Sequence, residues 1–319
     1  MKKKVIRYCN DSAEWDDLVN NSDQECVFML SHFIDRVFSN CQKVGLYEDE
    51  KLIAGVPLFF DKQGVVIKKL PSFATYLGLT MRNEEKYSEH RKITRQLEIA
   101  SYFLDRLYNK YKTFSLRNSW KLRDLRAFQW INYDDSNRGQ FKISLRYTSL
   151  IELKEYKSFE EYLKTVRKLR LREYSRAKNN GVLISEIEDT DALLKLLSRT
   201  YERQNLKISY DEQDLIREMV HSSISIGSGK LVAATDLKRN FISVFFFLCD
   251  KECIYYVFGA NDPNYRNTGG STYLMLETIK DAFKEKKRYF DFCGVNSPNR
   301  GDYKISFNSK IYPYFITSI

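Results

Sequence analysis

Proline is scarce in this chain, with five in 319 residues, and no low-complexity tract interrupts it; long disordered segments are therefore not expected. Histidine is scarcer still. His32, His90 and His221 lie far apart, and none lies beyond residue 221. The six cysteines (Cys9, Cys26, Cys41, Cys249, Cys253 and Cys293) form no CxxC pair. These absences exclude a zinc site of the usual spacing and point to reduced thiols in a cytoplasmic protein without a metal. The longest apolar run, FISVFFFLC from Phe241 to Cys249, is far shorter than the roughly 20 residues that cross a bilayer, so no membrane span is expected. The N-terminus MKKKVIRYCNDSAEW has the basic start of a signal peptide but no apolar core or cleavage site after it, and export by that route is not expected.

What is present is an ordinary globular composition, 43% hydrophobic and 14% aromatic. A length of 319 residues exceeds the usual single-domain size, so two domains are the natural reading. The balance of 52 Lys+Arg against 42 Asp+Glu gives a net charge of +10, which favours anionic partners: phosphates, nucleotides, RNA or anionic membrane surfaces. Charge alone does not choose among them.

In the first half, VGLYEDEKLIAGVPLFFDKQGVVIKKL reads as three strands joined by turns, an antiparallel meander. SHFIDRVFSN before it and HRKITRQLEIASYFLDRLYNKY after it have helical spacing, with Ile99, Phe103 and Leu107 on one face. In the second half, DALLKLLSRTYERQN and EQDLIREMVHSSIS read as helices before the strands of KLVAATDLKRNFISVFFFLCDKECIYYVFGA. The order of helices then meander thus occurs twice. KLIAG at Lys51 and KLVAA at Lys230 echo it, which suggests two similarly folded halves, 1–150 and 151–319. Between them, SFEEYLKTVRKLRLREYSRAKNNG reads as one helix with Ser158 and Glu161 as a capping box. Its apolar face carries Leu163, Val166, Leu169 and Ala177. The opposite face carries Lys164, Lys168, Arg172 and Lys178, which suits either solvent or a phosphate backbone.

Strand CIYYVFGA is followed by NDPNYRNTGG, a helix from about Ser271 to Lys287, and strand RYFDFCGV. Such a crossover makes the two strands parallel and presents its loop at their carboxyl ends, where ligands bind. Backbone N–H groups in the first helical turn lack internal partners, so Gly269, Gly270, Ser271 and Thr272 suit a phosphate or diphosphate, with Arg266 adding charge. The same residues also suit a plain turn with Ser271 as N-cap. GSGK at Gly227 lacks the first glycine and the Ser/Thr of a Walker-type phosphate loop and reads as a turn.

Arg266-x-x-Gly269-x-Ser271 resembles the pyrophosphate loop of the GNAT acyltransferases, which lies between a strand and a helix and binds coenzyme A. RYFDFCGVNSPNRGDYKISFNSKIYPYF is similar to the C-terminal signature of FemAB-like proteins, and VRKLRLREYSRAKNNGV resembles their basic helix. That resemblance implies an α+β fold of two tandem GNAT-like domains, each a mixed, mostly antiparallel sheet flanked by helices. The N-terminal domain is then the acceptor side and the C-terminal one binds the donor. It implies acyl transfer to an amine, from acyl-CoA or from aminoacyl-tRNA. GVNSPNRGDYKISFN further resembles N-acyltransferases of surface-polysaccharide pathways acting on nucleotide-linked amino sugars of the dTDP-3-amino-3,6-dideoxyhexose type. Acyl-CoA and an amino-sugar nucleotide are therefore the expected substrates, with tRNA a partner only in a peptidoglycan-bridge alternative. DNA is not an expected partner. A basic adaptor for nucleic acid or anionic lipid is the non-catalytic alternative.

The chemistry needs positioning, an oxyanion donor and a proton acceptor for the amine, since a thiol of pKa about 8.5 already leaves readily. The resemblance assigns the oxyanion donor to a backbone N–H between Tyr255 and Ala260. Asp291 and Asp302 are the carboxylates nearest the junction and the candidate bases, with loop-building as their alternative role. Asn296, Asn299, Arg300 and Lys304 supply donors for sugar hydroxyls or phosphates, or simply build a polar loop. LPSFATYLGL resembles the family's acceptor-side segment, which makes Thr75 and Tyr76 candidates for lining a cleft. Cys293 has no histidine nearby in sequence to activate it as a nucleophile.

Overall fold

The computed structural model describes residues 3–319 apart from Ala74, Glu85, Ser136 and Gln204, and apart from the side chains of Asn299 and Arg300. The chain divides into one unit made of Met1–Arg146 with Pro313–Ile319, and a second made of Tyr147–Tyr312. The C-terminal segment thus belongs with the first unit rather than with residues 151–312.

The first unit runs β1 (Lys4–Tyr8), α1 (Ser12–Asn20), α2 (Ser31–Val37), β2 (Cys41–Glu48), β3 (Lys51–Phe59), β4 (Thr80–Met81), α3 (Glu89–Tyr111), β5 (Ser115–Arg117) and α4 (Arg126–Trp130), before β6 (Lys142–Glu152) carries the chain across the boundary. Strands β1 to β4 pair in sequence order, all antiparallel. Asp49 and Glu50, both at positive φ, make the two-residue turn between β2 and β3, the turn whose twist matches the strands it joins. Ile99, Phe103 and Leu107 of α3 are buried in the same cluster as Val44, Leu46 and Val56 of the sheet. The expected third strand of the meander does not form. Val66 makes only an isolated bridge to Phe60. Lys68, Lys69 and Pro71 follow it, and neither solvated lysines nor proline sustain a ladder; β3 takes β4 as its neighbour instead.

The second unit continues with α5 (Phe159–Leu163), α6 (Lys168–Asn179), β7 (Leu183–Glu186), α7 (Thr190–Glu202), α8 (Tyr210–Ser225), β8 (Gly229–Thr235), β9 (Phe241–Cys249), β10 (Cys253–Asn261), α9 (Gly270–Lys284), β11 (Tyr289–Asp291) and α10 (Pro298–Ile305), and β12 (Lys310–Ser318) returns the chain to the first unit. Its strands are ordered β6-β11-β10-β9-β8-β7. Only β10 and β11 run parallel, as a strand-helix-strand crossover requires. Leu274, Met275, Leu276, Ile279 and Ala282 of α9 join Phe245, Phe247, Ile254 and Phe290 in the core.

Each unit therefore repeats strand, two helices, three strands, helix, strand. In that alignment β8 corresponds to β2, not to β3. The KLIAG and KLVAA likeness thus pairs strands one place apart, and the duplication rests on element order rather than on those letters.

The basic segment between the halves forms two helices rather than one. Arg167 leaves the helical region with φ −51° and ψ 130° because tertiary bonds outbid the local pattern. Its N–H donates to the Ser306 carbonyl at 3.1 Å, and the Tyr162 hydroxyl donates to the Phe307 carbonyl at 2.6 Å. Beyond the break α6 packs on the start of α9. Gly269, the N-cap of α9, has φ +80°, and a Cβ there would lie 2.3 Å from the Glu173 carbonyl oxygen. Arg176 donates to the Asn267 carbonyl at 2.9 Å. Lys164, Lys168, Arg172 and Lys178 face solvent.

Gly269→Ala meets both a left-handed backbone and a backbone collision. It should lower stability by about 2–3 kcal/mol, read as a lower urea midpoint; an unchanged midpoint would mean α6 and α9 do not depend on this contact.

Candidate active site at the carboxyl ends of β10 and β11

Strands β10 and β11 pair only from Cys253, Ile254 and Tyr255 to Tyr289, Phe290 and Asp291. β11 then ends, while β10 continues to Asn261. Between Tyr256 and Phe258 the pairing of β10 with β9 slips by one residue, a bulge. Past the bulge the Asp262 N–H donates to the Ile242 carbonyl at 2.9 Å. Alternation along an antiparallel ladder turns Phe258 and Ala260 the same way, so the Gly259 N–H points to the side on which β11 has stopped. A backbone donor is thus presented where two parallel strands part. Gly259 is required there because the Tyr256 ring folds across it, its hydroxyl oxygen 1.7 Å from where a Cβ would stand.

The start of α9 differs from an open anion cradle. Gly269, Gly270 and Thr272 are buried; Ser271 is half-buried and Arg266 is exposed. The Arg266 side chain makes no hydrogen bond or ion pair among the described residues. The Thr272 hydroxyl donates to Glu173 Oε2 at 2.5 Å, and Arg170 Nη1 lies 2.6 Å from the same oxygen. A carboxylate of α6 therefore occupies the electropositive end of α9, a favourable position for negative charge. Beside it the Arg170 guanidinium lies over the Tyr303 ring, 5.0 Å from its centroid. The Tyr303 hydroxyl is buried near Ser271 and Thr272 without a hydrogen bond of ordinary length. Burial pushes its phenol up to about 12, with Arg170 pulling the other way. Sequence reasoning did not single out Arg170, Glu173 or Tyr303; the only signal was an Arg–Glu pair three residues apart.

The two candidate bases have separate surroundings. Asp291 is fully buried and accepts from the Thr148 hydroxyl at 2.5 Å and the Cys293 N–H at 2.7 Å. Thr148 Oγ1 in turn accepts from the Gly294 N–H at 3.1 Å. Asp302 is exposed and held by both guanidinium nitrogens of Arg167 at 2.7 and 2.9 Å. That arginine keeps its carboxyl below the usual range, which makes it a weak proton acceptor.

Segment 296–304 is not a polar loop: Pro298–Ile305 is helix α10. Asn296 spends both ends of its amide on Tyr147, accepting from its N–H and donating to its carbonyl at 2.8 Å each. Lys304 Nζ donates to the Phe292 and Gly294 carbonyls at 2.6 and 2.7 Å. Asn299 and Arg300 fall in the first turn of α10, and their side chains lie outside the described residues. Thr75 and Tyr76 belong to the first unit. Both are buried, and the Tyr76 ring meets Phe28 and Tyr314 edge-on at 5.8 and 5.6 Å.

Comparison with known proteins places this geometry in a class. Residues 162–304 match the family described as acetyltransferase (GNAT) domain. FemX is 12% identical with a TM-score of 0.66, over 98% of this chain and 96% of that one. The C-terminal domain of a putative lysylphosphatidylglycerol synthetase from Agrobacterium fabrum is 10% identical with a TM-score of 0.54, over 96% and 90%. A tandem GNAT protein from the clavulanic acid biosynthesis pathway is 10% identical with a TM-score of 0.52, over 99% and 98%. No curated protein matches the chain in sequence. The fold is GNAT/FemAB-like, two GNAT-like domains in tandem. No helix among the described residues is long and apolar enough to cross a membrane.

Asp291→Ala strands two donors and should lower stability by about 2–4 kcal/mol, since each buried group left unpaired costs about 1–3 kcal/mol. A variant that folds with wild-type stability would argue for a catalytic rather than a structural carboxylate.

A phenol neutral to about pH 12 when folded, but ionising near 10 when unfolded, adds stability that is complete below pH 10 and lost as pH rises to about 12. Tyr303→Phe should therefore flatten the alkaline fall in Tm, although Tyr312, also pushed up to about 12 by burial and by the hydrogen bond its hydroxyl donates to Glu152, keeps part of it. An identical alkaline profile would refute this.

Proposed function

We propose that the protein is an N-acyltransferase that moves an acyl group from acyl-CoA to the amine of a nucleotide-linked amino sugar, of the dTDP-3-amino-3,6-dideoxyhexose type, for surface-polysaccharide synthesis. The observation that carries this reading is the parting of β10 from β11 past Tyr255, with a bulge that leaves a β10 amide facing the gap. A thioester carbonyl seated there receives a fixed N–H as its oxygen gains charge during amine attack. The amine attacks the carbonyl carbon, the carbon–sulfur bond breaks, and the amine's proton leaves to water or thiolate. Asp291 is assigned to holding the turn after β11 rather than to taking that proton, because it is fully buried and its Oδ1 already accepts from two donors.

The donor's diphosphate is assigned to the loop ahead of α9, with Arg266 and the amides opening the helix at Ser271 as its partners. Glu173 lies beside those amides, so the donor's charge has to displace it or bind on the Arg266 side of the loop. That same closure supports a second reading: an aminoacyl-tRNA donor, which needs no diphosphate cradle and whose backbone suits the exposed Lys164, Lys168, Arg172 and Lys178.

The deciding assay mixes the protein with acyl-CoAs of several lengths and a panel of amino-sugar nucleotides and follows free thiol. Thiol release dependent on the sugar is expected, insensitive to RNase, and Arg266→Ala should raise KM for the donor about tenfold with little change for the sugar. RNase-sensitive transfer from charged tRNA without thiol release would establish the second reading instead.

A further inference from the structure

The second unit contains a cavity of about 580 Å3, separate from the strand gap, lined by α7, the β8–β9 turn and the segment leaving β10. A nucleotide fits within such a volume. Its wall carries three carboxylates and three cations, which differ in how far they are engaged. Asp189 accepts from the Ala192 N–H as the N-cap of α7. Asp191 pairs with Arg217 at 3.0 Å, and Asp262 pairs with Arg199 at 2.8 Å while accepting from the Asn264 N–H. Every carboxylate of the wall is therefore engaged. Lys195 and Arg239 are exposed on that wall, and their side chains make no hydrogen bond or ion pair among the described residues. Arg239 projects from the tip of the turn, where its own φ is +66° and its N–H is held by the Asp236 carbonyl at 3.0 Å. Tyr265 completes the wall, its hydroxyl donating to Asp236 at 3.0 Å. Its aromatic face is suited to a base or sugar ring.

From these two unpaired cationic side chains around an aromatic-walled hollow, with every carboxylate beside them engaged, we infer a binding site for a diphosphate-bearing nucleotide, held by Lys195 and Arg239 with Arg199 beside them. Compact lysine charge and forked arginine donors are the groups that recognise phosphate oxygens. The inference deepens the proposed function, since either the acceptor nucleotide or coenzyme A carries such a diphosphate.

The test is calorimetric binding of dTDP and, separately, coenzyme A to the full chain and to the Lys195→Ala/Arg239→Ala double variant, whose changes are exposed and spare the core. Wild type should bind one of the two ligands, more weakly as salt rises. The double variant should lose at least tenfold in affinity, since charge-assisted contacts are removed, and inorganic pyrophosphate should compete. Loss for dTDP alone assigns the site to the acceptor; loss for coenzyme A alone assigns it to the donor. Neither ligand binding, or equal affinities in variant and wild type, overturns the inference. Binding is read without turnover, so a nucleotide that binds here with no acylation leaves this site standing while the proposed reaction falls. Acylation with wild-type KM values in the double variant does the reverse.

Discussion

The contact of Gly269 with the Glu173 carbonyl governs the second unit. Without a side chain at that position, α6 settles directly on the first turn of α9. Glu173 then lies at the electropositive end of the helix and takes the Thr272 hydroxyl, while Arg170 pairs with it from within α6. The same closeness fixes α9, whose Leu274, Met275, Leu276 and Ile279 are fully buried. Since α9 packs on β8, β9 and β10, the position of the β10 amides follows from a glycine outside the strand. An anion that enters here competes with a carboxylate already in place, so ligand charge and the seating of α6 are coupled through one helix end.

The gap between β10 and β11 has its own cause. β11 stops at Asp291 because the chain turns through Cys293 and Gly294, both at positive φ. That turn is held from three sides: Asp291 takes the Cys293 N–H, Thr148 takes the Gly294 N–H, and Lys304 takes the carbonyls of Phe292 and Gly294. A short parallel pairing followed by a pinned departure opens the strands where the bulge in β10 has already increased its local twist. Lys304, which looked like a sugar ligand, is part of this construction, and Asn296 bonds Tyr147 beside it.

Much of the architecture was legible in the sequence because apolar period and turn residues agree with the final packing. The three strands of the second meander, the α9 crossover and the parallel β11 all follow from local pattern. The readings that failed did so where tertiary contacts decided. One continuous helix was expected across residues 158–180, but the bonds of Tyr162 and Arg167 to the segment at Ser306 and Phe307 break it. Asp291 was a candidate base with loop-building as its alternative. Its strand is paired on both sides, and the carboxylate is buried and accepts from two donors, which is the loop-building role. Asn296 and Lys304 looked free because backbone carbonyls and amides, the groups that claim them, carry no letter in a sequence.

Duplication of the fold sharpens which unit has the chemistry. In the first unit the strand corresponding to β10 is β4, only Thr80–Met81, and the helix after it begins at Glu89 behind Ser88. No glycine precedes that helix, and an acidic residue in its first turn already answers its dipole. In the second unit the strand is nine residues long with a bulge, and the helix opens on two glycines with no acidic residue of its own in the first turn. Its negative charge comes from α6, a separate element that can withdraw where a residue within the helix cannot. The proposed acyl transfer is placed at that unit's strand-helix junction for that reason: there a carboxylate from another element lies next to a presented backbone donor.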